Sequence, residues 1–218
     1  SQASWDAFTY DGKIYGIPIS IDNQIMFYRN DIFEQLNLEP PTTVDELLDC
    51  LETIKQSGLV KYPLVMTFGQ PGGLMTEFGT ALVGMGGEWY DEDLNPLFNG
   101  PEGVAAIEMM QELYSYMPEA ALSYTNDDSM VLMQTGEAAV STIWAARAAR
   151  MDDETSSTVV GKVSYAAAPI ITEGNPPWSY QGQDVLCIPH NVAIDPETAF
   201  IALAEMTSKA AMAEVGKV

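Results

Sequence analysis

Flat aromatic rings and planar polar side chains lie close together at two places in the sequence. Trp144 is followed three residues later by Arg147. Trp178 and Tyr180 are separated by one residue, and Gln183-Asp184 follows them. An aromatic ring can stack on the apolar C–H face of a sugar, and carboxylate, amide and guanidinium groups can make two hydrogen bonds at once to sugar hydroxyls. The pattern is therefore typical of a carbohydrate-binding site.

The elements that must position these side chains are strand ends and loops. An apolar run over 138–143 predicts a strand that ends at Trp144, and strand ends in α/β sheets face ligand crevices. Trp178 and Tyr180 are predicted in a loop that precedes a strand over 185–188. For Trp144 the sequence favours a position in a cleft, whereas ordinary core packing remains an alternative for Trp178.

The stretch from Tyr10 to Asn30 predicts a passage between two bodies of structure. Asp11-Gly12 is a tight-turn signal. A first β-rich run is predicted to end or change sheet near Pro18, because proline lacks an N–H, and a second run covers 25–28. The polar pair Asp22-Asn23 lies at the crossing, where ligand clefts form.

Helical patterns alternate with strand patterns in the rest of the chain, which predicts an α/β fold. The clearest helix begins with Thr43 and Glu46 as a capping box and stops at Gly58. Another helix begins at Pro101. Its buried stripe is predicted to consist of Val104, Ile107, Met110, Leu113 and Met117.

Charge and composition narrow the possible partners. The chain of 218 residues carries 31 acidic and 9 basic residues, a formal net charge of -22. Nucleic acid and anionic membrane surfaces repel such a chain, so neither is predicted as a partner. We interpret the acids as a solubility feature, and a preference for cationic ligands is the alternative. No run of about 18 apolar residues is present to form a transmembrane helix.

Cysteine, histidine and motif content predict neither a metal site nor a cofactor. Cys50 and Cys187 are predicted to be buried free thiols. His190 is the only histidine, and no His/Cys cluster has metal-ligand spacing. The sequence lacks a G-x-S-x-G motif and a phosphate-binding loop, so no catalytic residue is assigned. A carbohydrate-active enzyme remains an alternative, because the absence of motifs is weak evidence.

Several strings along the chain resemble one family. YDGKIYGIP, followed by a polar pair and an apolar strand, is similar to the first inter-lobe crossing of extracellular solute-binding proteins of ABC importers. The resemblance is to the large carbohydrate-binding family that includes the maltose-binding protein. Further matching strings occur in the family's order: PPTTVDELL, GGEWYD, GEAAVSTIW, VVGKVSYAAAP and GQDVLCIP.

The resemblance implies an α/β fold of the periplasmic-binding-protein-like kind (type II), mainly the second lobe with parts of the first. Residues 1–22 would be a first-lobe strand remnant and crossing. Residues 23–183 would form the second lobe, and 184–218 the return crossing with a first-lobe segment. Because family members extend beyond both ends of such a chain, we expect a fragment. The fragment is expected to self-associate, whereas the full-length protein is expected to be a monomer.

The implied function is capture of a sugar or oligosaccharide by hinge closure of two lobes. The bound solute would be delivered to the membrane permease of an ABC importer, in the periplasm or outside the cell. A non-sugar solute such as a polyamine is an alternative ligand. No bond would be made or broken, and no cofactor or metal is implied.

The resemblance also assigns individual residues. Asp22-Asn23 matches a sugar-binding acid or amide, Trp144 matches a stacking ring, and Glu77 lies in a further cleft-facing region. Gly182-Gln183-Asp184 matches a segment often written Gly-Gly-Trp, so here hydrogen bonding replaces stacking. We expect Asp22 and Trp144 to share an exposed face. The candidate ligand contacts are Asp22, Asn23, Glu77, Trp144, Arg147, Trp178, Tyr180, Gln183 and Asp184.

Overall fold

The chain folds into two compact units that both contain helices and strands. The structure, a computed structural model, describes residues 1–69 and 72–215. The smaller unit consists of Ser1–Asp22 and the residues from Gln181 onward, and the larger unit is Asn23–Tyr180. Positions 216–218 of the predicted segment 184–218 lie outside the described residues. No helix in the described ranges is long and apolar enough to cross a membrane.

Strands and helices alternate along most of the chain, which confirms the predicted α/β class. The strands are β1 (Thr9–Tyr10), β2 (Lys13–Ile14), β3 (Ile17–Arg29), β4 (Tyr62–Val65), β5 (Ala138–Trp144), β6 (Val163–Ala166) and β7 (Gln181–Leu186). The α-helices are α1 (Gln2–Asp6), α2 (Asn30–Leu36), α3 (Val44–Ser57), α4 (Gly72–Gly84), α5 (Pro101–Tyr114), α6 (Asn126–Gln134), α7 (Pro196–Met206) and α8 (Lys209–Val215). Segments of 3-10 helix cover Glu119–Ser123 and Ala145–Asp152.

The sheet of the larger unit has the strand order β4-β5-β3-β6. β4 is parallel to β5, and β3 is antiparallel to both of its neighbours, β5 and β6. The register pairs Gln24 of β3 with Trp144 of β5. The two central strands therefore bring the last residue of β5 next to the first residues of β3 in this unit.

Each face of this sheet is covered by its own apolar layer. Met26 and Leu64 pack on one face with residues of α3 and α5, whereas Phe27 and Val65 pack on the other face with residues of α6. The alternation follows from the two-residue period of a strand. Burial of side chains of this size contributes about 1.5–3 kcal/mol each. The larger unit therefore contains a complete layered core of its own.

Helix α3 follows its sequence signals closely. The Thr43 hydroxyl accepts from the backbone N–H of Glu46, and the Glu46 carboxylate accepts from the backbone N–H of Thr43, so the predicted capping box is confirmed. Gly58 ends the helix in the left-handed region, with φ of 66°. Between these two ends, Leu47, Leu51 and Ile54 form the buried side of α3 that packs in the core.

The predicted buried stripe of α5 is wrong for its first half. Val104 and Ile107 are 54% and 42% exposed, whereas Met110 and Leu113 are buried as predicted. Gly103 explains the rotation, since an added Cβ there would lie 1.8 Å from the backbone oxygen of Phe98. The helix approaches that backbone on its glycine side, and the larger β-branched residues turn outward.

Strand β3 runs without a break through the predicted crossing. One strand extends from Ile17 to Arg29. The prediction that the strand ends or changes sheet near Pro18 is therefore wrong. Pro18 is the second residue of the strand, a position close to the start where a missing N–H is tolerated. The unit boundary nevertheless falls inside this strand, between Asp22 and Asn23.

The smaller unit contains a hairpin after helix α1 and leaves apolar side chains exposed. β1 and β2 pair around Asp11 and Gly12, whose φ values of 49° and 69° are those of a type I′ turn, as the sequence predicts. β7 pairs with β3. Phe200 and Ile201 of α7 are 54% and 61% exposed. Self-association stays a prediction, and these side chains are the surface it would use.

The two cysteines are free and differ in exposure. Cys50 is buried in α3, as predicted, whereas Cys187 is exposed, which corrects the prediction that both are buried. Cys187 directly follows the end of β7, where the chain leaves the sheet. Burial raises the pKa of the Cys50 thiol, so this group stays protonated.

Candidate functional site

An aromatic pair lies at the end of the central strand of the larger unit. Residues 138–143 of β5 are buried, and Trp144 is the half-buried residue at which the strand ends. Its ring meets the Tyr180 ring edge to face, with centroids 5.8 Å apart and an interplanar angle of 88°. Tyr180 is 45% exposed. The two rings stabilise each other by about 0.5–1.5 kcal/mol while presenting aromatic surface to solvent.

The segment that ends at Tyr180 is tied to β3 by hydrogen bonds. The backbone N–H of Gln24 donates to the carbonyl of Tyr180 over 3.0 Å. The Ser179 hydroxyl donates to the carbonyl of Gln24 over 2.7 Å. The backbone N–H of Tyr180 donates to the side-chain oxygen of Gln24 over 3.2 Å. Both termini of the larger unit are therefore held together at one residue, Gln24.

Glu77 is a buried carboxyl group at the centre of the same network. Its side chain is 1% exposed, and its Oε1 accepts from Nε2 of Gln24 over 3.0 Å. Burial raises the pKa of Glu77 to about 8, and the hydrogen bond from Gln24 lowers it by less. Glu77 is therefore mainly protonated at neutral pH and unavailable as a direct ligand contact in this structure. Its role as a ligand contact stays a prediction, and in this structure the group supports the side chain of Gln24.

Trp178 also supports the site from within the core. Its side chain is 1% exposed, and its indole N–H donates to the backbone oxygen of Glu77 over 3.3 Å. The structure places Trp178 in the core of the larger unit, and its role as a ligand contact stays a prediction. The indole satisfies its one donor there, as a buried tryptophan requires.

Arg147 is engaged in an ion pair beside the aromatic pair. It lies in the 3-10 helix that follows Trp144, and its guanidinium donates to the carboxylate of Asp127. Arg150 contacts the same carboxylate at 3.3 Å. Arg147 holds the pKa of Asp127 below its usual value. The arginine is thereby held by Asp127 in the first turn of α6.

A recess of about 490 Å³ adjoins Tyr180. Trp89, Tyr90 and Tyr180 contribute aromatic surface to it, and Thr76 and Thr80 contribute hydroxyl groups. Each threonine donates to a carbonyl of α4, which leaves its oxygen free to accept a hydrogen bond from a ligand. The described residues that line the recess carry no charge. The recess is therefore suited to a neutral ligand that has an apolar face and hydroxyl donors.

The remaining predicted contacts are distributed over both units. Asn23 is the exposed first residue of the larger unit. Asp22, Gln183 and Asp184 belong to the smaller unit, where the Ser20 hydroxyl donates to Asp184 over 2.5 Å. The common face of Asp22 and Trp144 stays a prediction. The structure thus joins Trp144 with Tyr180, and Glu77 with Trp178, within the larger unit.

Gln24 is a buried residue of this network for which the sequence predicted no role. Met26, two residues later in β3, lies on the buried face of the strand. The two-residue period of a strand places Gln24 on that same face. A buried amide in a strand interior must find hydrogen-bond partners, and this requirement is the signal that could have identified it.

Metal ligation finds no support among the described side chains. Within residues 1–69 and 72–215, no group of three His, Cys, Asp or Glu side chains is arranged to hold a metal ion. The recess of the larger unit offers aromatic surface and hydrogen bonding by neutral groups.

Comparison with known proteins gives a consistent family. The model of the family described as "Bacterial extracellular solute-binding protein" matches residues 2–213. A mannitol-binding protein of Pseudomonas aeruginosa is 27% identical over 181 residues, which is 80% of this chain and 41% of the relative.

Solved structures resemble the chain over nearly its whole length. The maltose-bound MalE3 of T. maritima has a TM-score of 0.83 and 26% identity, over 94% of this chain and 52% of that one. An ABC transporter solute-binding protein of Agrobacterium radiobacter, in complex with ribitol, has a TM-score of 0.81 and 26% identity, over 99% of this chain and 57% of that one. The chain thus spans about half the length of the proteins it matches.

Proposed function

Because this chain belongs to the bacterial extracellular solute-binding proteins, we propose that it captures a neutral sugar or sugar alcohol for an ABC importer. The periplasmic-binding-protein-like fold predicted from the resemblance is confirmed by the solved structures that match it. Proteins of this family bind solutes, and the proposed role involves no chemical change in the ligand.

The observation that carries the proposal is the half-exposed Trp144–Tyr180 pair beside an uncharged recess. Two rings at 88° offer a face and an edge to the C–H surface of a sugar or a polyol chain. The threonine hydroxyls next to them can accept from ligand hydroxyls. A polyamine would require carboxylates, and the described residues that line this recess include none.

The ligands printed for the similar proteins support the same chemical class. Mannitol, maltose and ribitol are neutral molecules that carry several hydroxyl groups. The remaining candidate contacts, Asp22, Asn23, Gln183 and Asp184, are proposed to hydrogen-bond those hydroxyls. Arg147 is proposed to contribute guanidinium donors next to the ring of Trp144.

The partner in this proposal is the membrane permease of an ABC importer. The solute would be captured outside the cytoplasmic membrane. Two-lobe closure would trap the solute and present it to the permease. The proposal concerns the whole protein, because the chain spans about half the length of the proteins it matches. Binding should therefore be measured on the native protein.

Isothermal titration with D-mannitol, ribitol, maltose and spermidine tests this function. We expect at least one of the three neutral ligands to bind, with no binding of spermidine. The ligand recovered after long incubation should be chemically unchanged, which separates a binding protein from a carbohydrate-active enzyme. Binding of spermidine alone would reverse the choice between neutral and cationic solutes.

Trp144→Ala is expected to weaken binding of the neutral ligand by about tenfold, since loss of an aromatic contact costs about 1.4 kcal/mol. The measurement is the Kd from the same titration. Trp5→Ala is the matched control, because Trp5 is a 39% exposed tryptophan of the smaller unit outside this site. Equal Kd values for Trp144→Ala and the wild type would remove Trp144 from the site.

A further inference from the structure

The side chain of Gln24 makes one hydrogen bond as an acceptor and one as a donor. Its Oε1 accepts from the backbone N–H of Tyr180 at 3.2 Å, and its Nε2 donates to Oε1 of Glu77 at 3.0 Å. The side chain is 4% exposed, so water cannot replace either partner freely. Because a buried polar group left unpaired costs more than a typical hydrogen bond contributes, both bonds constrain the geometry.

We propose that Gln24 is a positioning residue that sets the Tyr180 ring against Trp144. It does so by joining three pieces of the larger unit at one amide: β3, helix α4 and the segment that ends at Tyr180. The proposal rests on the proposed function, because it assigns Gln24 to the support of the same ligand surface. Gln24 itself contacts Tyr180 and Glu77 rather than the ligand.

The register of the sheet explains why the amide acts on both rings. Gln24 is the residue of β3 paired with Trp144 of β5, so its backbone fixes one side of the aromatic pair. Its side chain and its own N–H hold the backbone of Tyr180, which carries the other ring. The distance between the two rings is therefore defined through one residue.

Position 24 requires a side chain that supplies both an acceptor and a donor, as glutamine does. The alternative is an exchange of the acid and the amide between positions 24 and 77. The N–H of Tyr180 needs an acceptor, whereas the carbonyl oxygen of a protonated carboxyl group at Glu77 needs a donor. Methionine has the length of glutamine but supplies neither group. A carboxyl at position 24 supplies the acceptor, and it can be matched if position 77 carries an amide.

Gln24→Met is the direct test on the native protein. We expect the backbone amide of Tyr180 to lose its protection from hydrogen exchange, and the indole N–H resonance of Trp144 to shift in the NMR spectrum. We also expect the Kd for D-mannitol to rise about tenfold if D-mannitol is the ligand that binds. Gln134→Met is the matched control, because Gln134 is 7% exposed and hydrogen-bonds Arg150 and Ser156 instead.

A purely structural role would lower thermal stability in both variants and leave the Kd of Gln24→Met at its wild-type value. That result would overturn the proposal, as would an unshifted Trp144 resonance in Gln24→Met. The NMR readouts do not depend on the ligand. Failure of D-mannitol, ribitol and maltose to bind the wild type would therefore count against the proposed function alone.

The exchanged pair Q24E/E77Q provides the rescue. A carboxyl at position 24 can accept from the N–H of Tyr180 and from the amide at position 77, so the number of hydrogen bonds is kept. We expect protection of the Tyr180 amide and the Trp144 resonance to return toward wild type. If Gln24→Met does not fold, the exchanged pair decides alone: a protected Tyr180 amide supports the proposal, and an unprotected one overturns it.

Discussion

Glu77→Gln is expected to be more stable than the wild type above pH 8, by about 5 kcal/mol. The carboxyl group ionises at its usual pKa of 4.5 in the unfolded chain and at about 8 in the folded chain. The wild type therefore has its full stability below pH 4.5, loses stability as the pH rises toward 8, and then reaches a plateau. The gap between the two pKa values sets the size of the effect, at about 1.36 kcal/mol per pKa unit.

The physical reason is that water solvates the carboxylate only in the unfolded chain. Glutamine keeps the shape of the side chain and accepts the same hydrogen bond from Gln24, but it cannot ionise. Denaturant unfolding of both proteins at several pH values from 5 to 9 measures the difference, and all other titrating groups cancel between them. Parallel stability curves over this range would contradict the buried, protonated state of Glu77.

Trp178→Ala is expected to lower the free energy of unfolding by about 3–5 kcal/mol, the cost of deleting a large buried aromatic side chain. The side chain is 1% exposed and packs in the core of the larger unit, so its removal leaves a cavity. It also leaves the backbone oxygen of Glu77 without its indole donor. Denaturant unfolding at pH 6 measures the effect.

Trp144→Ala provides the contrast within the same protein. Trp144 is half-buried at a strand end, so its loss should cost much less stability than the loss of Trp178 while weakening ligand binding. If Trp178→Ala left stability unchanged and abolished binding, the tryptophan would be a ligand contact after all, as the sequence first suggested. The two substitutions thus separate the core tryptophan from the surface one.

Local signals in the sequence predicted those parts of the fold that depend on neighbouring residues. The Thr43–Glu46 capping box and the Asp11-Gly12 hairpin both form as expected, because caps and tight turns are decided within four residues. Trp144 was placed correctly at the end of a buried strand for a similar reason. Its apolar run ends at that residue.

Packing between distant segments could not be predicted in the same way. The sequence pattern around Trp178 fits a cleft as well as a core. The tryptophan is buried because α4, which is distant in the sequence, packs next to it. Val104 is exposed because Gly103 packs closely against the Phe98 backbone. The spacing of apolar residues along the helix cannot predict such a contact. Gln24 was hidden because its partners, Glu77 and Tyr180, lie 53 and 156 residues away along the chain.

The two thiols differ in exposure, so the rates at which they react with a thiol-specific label should report on different parts of the protein. Cys187 is exposed and should accept a thiol-specific label at once, whereas Cys50 is buried and its raised pKa keeps it protonated. Because only a thiolate reacts quickly, Cys50 should be labelled more slowly than Cys187. The fast labelling of Cys187 therefore reports on the smaller unit. The slower labelling rate of Cys50 reports on how accessible the core of the larger unit becomes to the label.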